Sequence, residues 1–205
     1  MSDIEIVVSG NEIVMKEKTL TDLDKFVFEF LEIIPDVRYV VVSGYLPILF
    51  GRSRGTEDVD ILMERFDKTT FGELYNRLKN RKYYFLNPGG VKELYQMLDE
   101  GLAVRISKED MVIPNIELRF VKNEIERDSL ENRIKLVLKN DTSYELFISP
   151  IEVQIPYKLY LGSDKDIEDA VYLWEIFKSY LEREKLKRFM EKLKVDGRAY
   201  GIEVE

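Results

Sequence analysis

"VVVSGYLPILFGRSRGTEDVDILME", residues 40–64, changes character three times along its length. Arg38-Tyr39-Val40-Val41-Val42-Ser43 is a continuous, largely β-branched run of the kind that fills a buried strand. Gly44 turns the chain into a short helix over 45–50, where Pro47 is tolerable because a first-turn N–H has no partner within the helix. The loop Gly51-Arg52-Ser53-Arg54-Gly55-Thr56 is basic, and Asp58-Val59-Asp60-Ile61-Leu62-Met63 reads as a second strand. The order is strand, glycine turn, helix, basic loop, acidic strand.

Residues two apart on a strand point to one face, so Asp58 and Asp60 are expected to project together while Val59 and Ile61 enter the core. The acidic-apolar-acidic triplet alone carries no information, because Asp3-Ile4-Glu5, Asp22-Leu23-Asp24 and Asp166-Ile167-Glu168 repeat it. The setting separates them. "VVSG" also occurs at 7–10, but there Ile4 to Met15 reads as a β-hairpin about Ser9-Gly10-Asn11. Thr21 then caps a helix that stops at Pro35. Asp22 and Asp24 fall in its first turn, where acids favour the helix dipole, and two residues apart there means about 200° around the axis. That pair diverges; the later pair converges.

Composition limits what such a pair can do. The 205 residues contain no cysteine and no histidine. Disulfides, thiol nucleophiles, serine–histidine triads and the commonest transition-metal ligand are thereby excluded. Chemistry is left to carboxylates, Lys, Arg, Tyr and hydroxyls, and any metal would be oxygen-ligated, Mg²⁺ or Mn²⁺. A net charge of −8 opposes nonspecific nucleic-acid coating. The start MSDIEIVV has no basic region leading into an apolar run, and no stretch suits a membrane span, so a cytoplasmic protein is expected.

The rest of the chain fits an α/β (α+β) class. Helices are expected over 71–78 and 91–98, strands over 83–86 and 116–121, and a hairpin over 134–138 and 144–148 about Lys139-Asn140-Asp141. From Pro150 the pattern is helical, giving an expected α/β domain at 1–149 and a helical C-terminal region at 150–205 packed on it. Tyr157, Tyr160, Tyr172 and Trp174 read as core or helix-packing residues. The basic stretch from Arg183 to Lys194 reads as a solvated helix face.

Val42-Ser43-Gly44, a spacer of thirteen residues and Asp58-Val59-Asp60-Ile61 resemble the signature of the nucleotidyltransferase superfamily, the polymerase-β-like fold, with Ser43 in place of its first glycine. Arg54 and Thr56 before the acids look like the minimal abortive-infection, AbiEii-like nucleotidyltransferases. So does "SPIEVQIPYKLYLGSDKDIEDAVYL", in which Pro150, Glu152, Lys158, Leu159, Gly162, Lys165, Asp166 and Asp169 occupy the pattern with Ile151 inserted. The two matches span about residues 38 to 175.

The resemblance implies a mixed sheet flanked by helices, and transfer of a nucleoside monophosphate from a nucleoside triphosphate, ATP among the candidates, to a hydroxyl on RNA or protein, in a toxin–antitoxin setting. Asp58 and Asp60 would bind the metal, and Ser43, Gly44, Arg54, Thr56, Lys158 and Lys165 would handle the nucleotide. A third carboxylate is expected on a later strand, and Glu117 in Asn115-Ile116-Glu117-Leu118-Arg119-Phe120 is chosen by alternation. Bland readings stand beside these: Ser163 with Asp166 is a helix-capping arrangement, Asp169 holds lysines, and Glu117 is half of a surface pair with Arg119.

Overall fold

Strand pairing builds a nine-stranded mixed sheet among the described residues of the computed structural model, which are 5–140 and 142–204. Asp3 and Ile4 of the first triplet, and Asp141 of the expected hairpin turn, lie outside the described residues. The N-terminal hairpin is β1 (Glu5–Ser9) against β2 (Glu12–Lys16). Its turn holds Gly10 at φ +55°, a conformation that glycine reaches without a Cβ penalty. Next come β8 (Ile134–Lys139), parallel to β2, and β9 (Ser143–Ile148), antiparallel to β8.

The centre is β3 (Tyr39–Val42), all four residues buried, joined to β9 through Val41 and Ile148 and antiparallel to β4 (Asp58–Met63). Then follow β7 (Asn115–Phe120), parallel to β4, and antiparallel β6 (Val104–Lys108) and β5 (Tyr83–Phe85). The helices are α1 (Asp22–Leu31), α2 (Tyr45–Leu49), α3 (Lys68–Asn80), α4 (Val91–Asp99), α5 (Glu124–Glu131), α6 (Ile151–Leu161), α7 (Asp164–Phe177) and α8 (Arg183–Leu193). This is a mixed α/β architecture of the expected class. No helix among the described residues is long and apolar enough to cross a membrane.

Local chemistry explains the boundaries. Thr21 and Asp24 form a reciprocal capping box: the Asp24 N–H donates to Thr21 Oγ1 at 3.1 Å, and the Thr21 N–H to Asp24 Oδ2 at 2.9 Å. Asp24 is buried and also takes the Tyr45 hydroxyl at 2.7 Å and the Lys18 ammonium. α3 begins earlier than the apolar spacing suggests because Asp67 caps it, accepting from the Thr70 N–H at 2.9 Å. α6 ends at Gly162, φ +71°, and α7 restarts under Ser163 as its N-cap. The core joins the layers through fully buried Phe30, Tyr45, Phe71 and Phe120, each of which would cost about 3–5 kcal/mol to truncate to alanine.

Candidate active site

On β4 the expected alternation holds: Val59 and Ile61 are fully buried, while Asp58 and Asp60 stay partly exposed on the other face. β7 is in register beside it, with Asn115 opposite Asp58 and Glu117 opposite Asp60. Three acids therefore share one sheet face. Burial, then the negative charges of Glu117 and Asp58, push the Asp60 carboxyl up from its ordinary 3.8 to about 6, against the opposing pull of Arg119 and a hydrogen bond from Ser43. Thr56 Oγ1 fixes the neighbour, donating within reach of Asp58 Oδ1 (3.2 Å) and the Asp58 carbonyl (3.0 Å). Two hard oxygen donors on one face, in an excess of negative charge, fit a Mg²⁺- or Mn²⁺-type cation.

Glu117 does not complete that donor set. Its carboxylate accepts from Arg105 Nε at 2.6 Å, because Arg105 on β6 sits directly across the ladder. Among the described residues no three acidic side chains come together as a ready ligand set. Glu117, the expected third carboxylate, thus lies in register beside Asp60 and is paired to Arg105 rather than to Arg119. Arg119 pairs instead with Glu126 at 2.9 Å.

At the glycine turn the backbone bends sharply at Ser43, just before Gly44. Ser43 has φ +63°, in the left-handed region. Its N–H donates to Gln154 Oε1 at 3.0 Å, so a side chain from α6 occupies the turn's first donor. A Cβ on Gly44 would lie 2.8 Å from Arg54 Nη2. That guanidinium makes four hydrogen bonds: Nε and Nη2 donate to Asp169 at 2.9 and 2.8 Å, Nη2 to the Gly44 carbonyl at 2.9 Å, and Nη1 to the Gly55 carbonyl at 2.9 Å. Arg54, expected at phosphate, here braces the turn against α7.

Lys158, expected at the nucleotide, also has partners within the protein. Its side chain is buried, and its ammonium binds Asp166 at 2.7 Å and Asp169 at 3.0 Å. Asp169, fully buried, also receives Arg52, so one carboxylate gathers Arg52, Arg54 and Lys158. Asp169 thus holds one lysine and two arginines. Lys165 is exposed, and its carbonyl accepts from Arg52 at 3.3 Å. Ser163 caps as expected, accepting from the Asp166 N–H.

Several residues of the site escaped sequence reading. A cleft of about 90 Å³ opens at Ser43 and Asp60 and is lined by Arg119, Glu126, Gln154 and Tyr157. Gln154, Tyr157 and Leu161 lie at helical spacing on α6, and a glutamine among the apolar residues Val153 and Ile155 is the signal that could have exposed this face. Trp174 is buried as expected, but Tyr160 is not a core residue: it is 59% exposed.

Comparison with solved structures places the fold in a known architecture. The solution structure of the antibiotic-resistance factor ANT(2'')-Ia aligns over 89% of this chain and 96% of that chain, at 12% identity and a TM-score of 0.51. The fold is nucleotidyltransferase-like. ANT(2'')-Ia in complex with adenylyl-2''-tobramycin aligns over 85% of this chain and 98% of that chain at 11% identity and a TM-score of 0.48. JHP933 from Helicobacter pylori aligns over 85% of this chain and 75% of that chain at 15% identity and a TM-score of 0.48. No protein-family model matches the sequence, and no curated protein matches it.

Proposed function

We propose that the protein is a divalent-cation-dependent nucleotidyltransferase of AbiEii-like type, moving a nucleoside monophosphate from a nucleoside triphosphate to a hydroxyl on RNA or protein in a toxin–antitoxin system. The observation that carries the reading is the Asp58–Asp60 pair on one strand face beside the Ser43-Gly44 turn, with Asp60 pushed up to about 6 by burial and like charge. Such a pair is held at a cost unless a cation joins it.

Asp58 and Asp60 would hold Mg²⁺ or Mn²⁺, which when bound supplies charge neutralisation and Lewis acidity at phosphate. Thr56 keeps Asp58 oriented, and the Ser43 hydroxyl does the same for Asp60. In the transfer, the acceptor oxygen bonds to the α-phosphorus, the bond to the bridging oxygen breaks, and pyrophosphate leaves. Glu117, once turned away from Arg105, is the group beside Asp60 that can take the acceptor's proton. Arg54 and Lys158 act indirectly by setting the loop, and Lys165 is the exposed lysine able to meet polyphosphate. The helical region from residue 150 serves as the second wall, a role supported by Gln154 reaching Ser43.

Thermal shift with Mg²⁺ and each of the four nucleoside triphosphates tests binding, and labelled triphosphate with bulk RNA or cell extract tests turnover. Identical behaviour of wild type and the Asp58→Ala, Asp60→Ala double variant in both assays would remove the proposal. The engagement of Glu117 by Arg105 favours a second reading, a non-catalytic nucleotide- or partner-binding module of antitoxin type. Metal-dependent binding without label transfer to any acceptor is its signature.

A further inference from the structure

Beside the small cleft at Asp60, the surface is hollowed again on the other side of Tyr157. A second, more open part of about 360 Å³ is lined by Lys122, Asn123 and Tyr160. Both parts share Arg119, Ile125, Glu126 and Tyr157, so they adjoin between α5 and α6 across the Arg119–Glu126 pair. The inner part is the narrower of the two, about 90 Å³. The outer part is where a ring system fits.

The α6 wall runs from Gln154 at the Ser43 turn to Tyr160, roughly 9 Å along the axis at 1.5 Å per residue. That is comparable to the reach of a nucleoside beyond its α-phosphate. At the outer end the chemistry changes from carboxylates to aromatic rings. Tyr157 and Tyr160 are one helical turn apart, with ring centroids 6.3 Å apart and planes tilted by 31°. Tyr160, which lines the outer part, is 59% exposed, and Leu161, which lines the inner part, is 44% exposed. Asn123, whose side-chain oxygen caps α5 by accepting from the Glu126 N–H, and exposed Lys122 add polar groups opposite. A flat, polar-edged ring is the ligand that uses exposed aromatic faces and amide donors together.

We infer that the Tyr157–Tyr160 end of the groove between α5 and α6 is a nucleobase subsite, in which the base of the bound triphosphate stacks on Tyr160. The inference rests on the nucleotide reading proposed above. Tyr157, half-buried, shapes the floor; Tyr160 supplies the stacking face. Stacking accepts every base, so preference among the four is left to the polar edge at Asn123 and Lys122.

The test compares Mg²⁺-tripolyphosphate with the four Mg²⁺-nucleoside triphosphates by calorimetry, on wild type, Tyr160→Ala and Tyr160→Phe. Tyr160 is exposed, so neither change threatens the fold. Tyr160→Ala should weaken the preferred nucleotide about 5- to 100-fold and leave tripolyphosphate unchanged, and Tyr160→Phe should restore most of the loss. Wild type that binds tripolyphosphate and every nucleotide equally overturns the subsite while leaving the phosphate site standing. An alanine variant that loses nothing, or loses both ligands alike, also overturns it. Wild type that binds neither ligand overturns the nucleotide reading itself, and the subsite with it.

Discussion

Replacing Asp60 by asparagine should make the metal-free protein more stable at neutral and alkaline pH. The Asp60 carboxyl lies at about 6 against an ordinary 3.8, chiefly through burial and then through Glu117 and Asp58. A raised carboxyl means that the folded state holds its proton more tightly than the unfolded chain does. Stability is therefore greatest below about pH 4 as far as this group is concerned, falls as pH rises toward 6, and stays reduced above it. Moving from 3.8 to about 6 corresponds to at most about 3 kcal/mol. Asparagine keeps the size and an oxygen for the Ser43 hydroxyl while removing the charge. In urea melts with chelator, the variant should differ little from wild type at about pH 4 and exceed it by about 2–3 kcal/mol at about pH 8. Adding Mg²⁺ should stabilise wild type and not the variant, closing the gap. A variant less stable than wild type at high pH, or a difference that ignores pH, would refute the electrostatic account of the site.

Ser43→Gly should relieve a left-handed backbone worth about 1 kcal/mol, but it deletes the hydroxyl that steadies the Asp60 carboxylate. The gain should thus appear in melts at about pH 4 and shrink at about pH 8. Arg105→Ala removes an exposed partner, so stability should move by less than about 1 kcal/mol, while release of Glu117 shifts the Mg²⁺ titration to lower concentration. An unmoved titration would mean that Glu117 is not held in reserve. Asp169→Asn strands three cations and should cost about 3–5 kcal/mol in urea unfolding; a loss below about 1 kcal/mol would show the cluster to be ornamental.

Alternation and turn chemistry carried the reading of the central strands. Val59 and Ile61 against Asp58 and Asp60 needed only the period of a strand, and the contrast with Asp22 and Asp24 needed only that of a helix. Elements with thin apolar signal escaped: β6 offers Val104, Ile106 and little else, and α5 contains only Ile125 and Leu130 among polar residues. Side-chain partners escaped for a different reason. Arg54 finds Asp169 across 115 positions, and Arg105 finds Glu117 only because β6 slots in beside β7. A long basic side chain next to a phosphate-type turn looks like a ligand contact until the topology supplies a buried carboxylate. Tyr160 differs for the converse reason: an aromatic at helical spacing is usually covered, and spacing alone does not show that this position of α6 faces solvent.

Asp169 also sets a timetable. The carboxylate that anchors Arg52 and Arg54 is synthesised 115 positions after Arg54, roughly 6–20 s later at ordinary ribosomal speeds. Until then two guanidinium groups beside the acidic strand have no buried anchor, and the turn at Ser43 lacks the amide of Gln154. During translation the nascent polypeptide thus carries an unfinished loop next to its paired aspartates, and that loop is drawn taut only when α7 emerges.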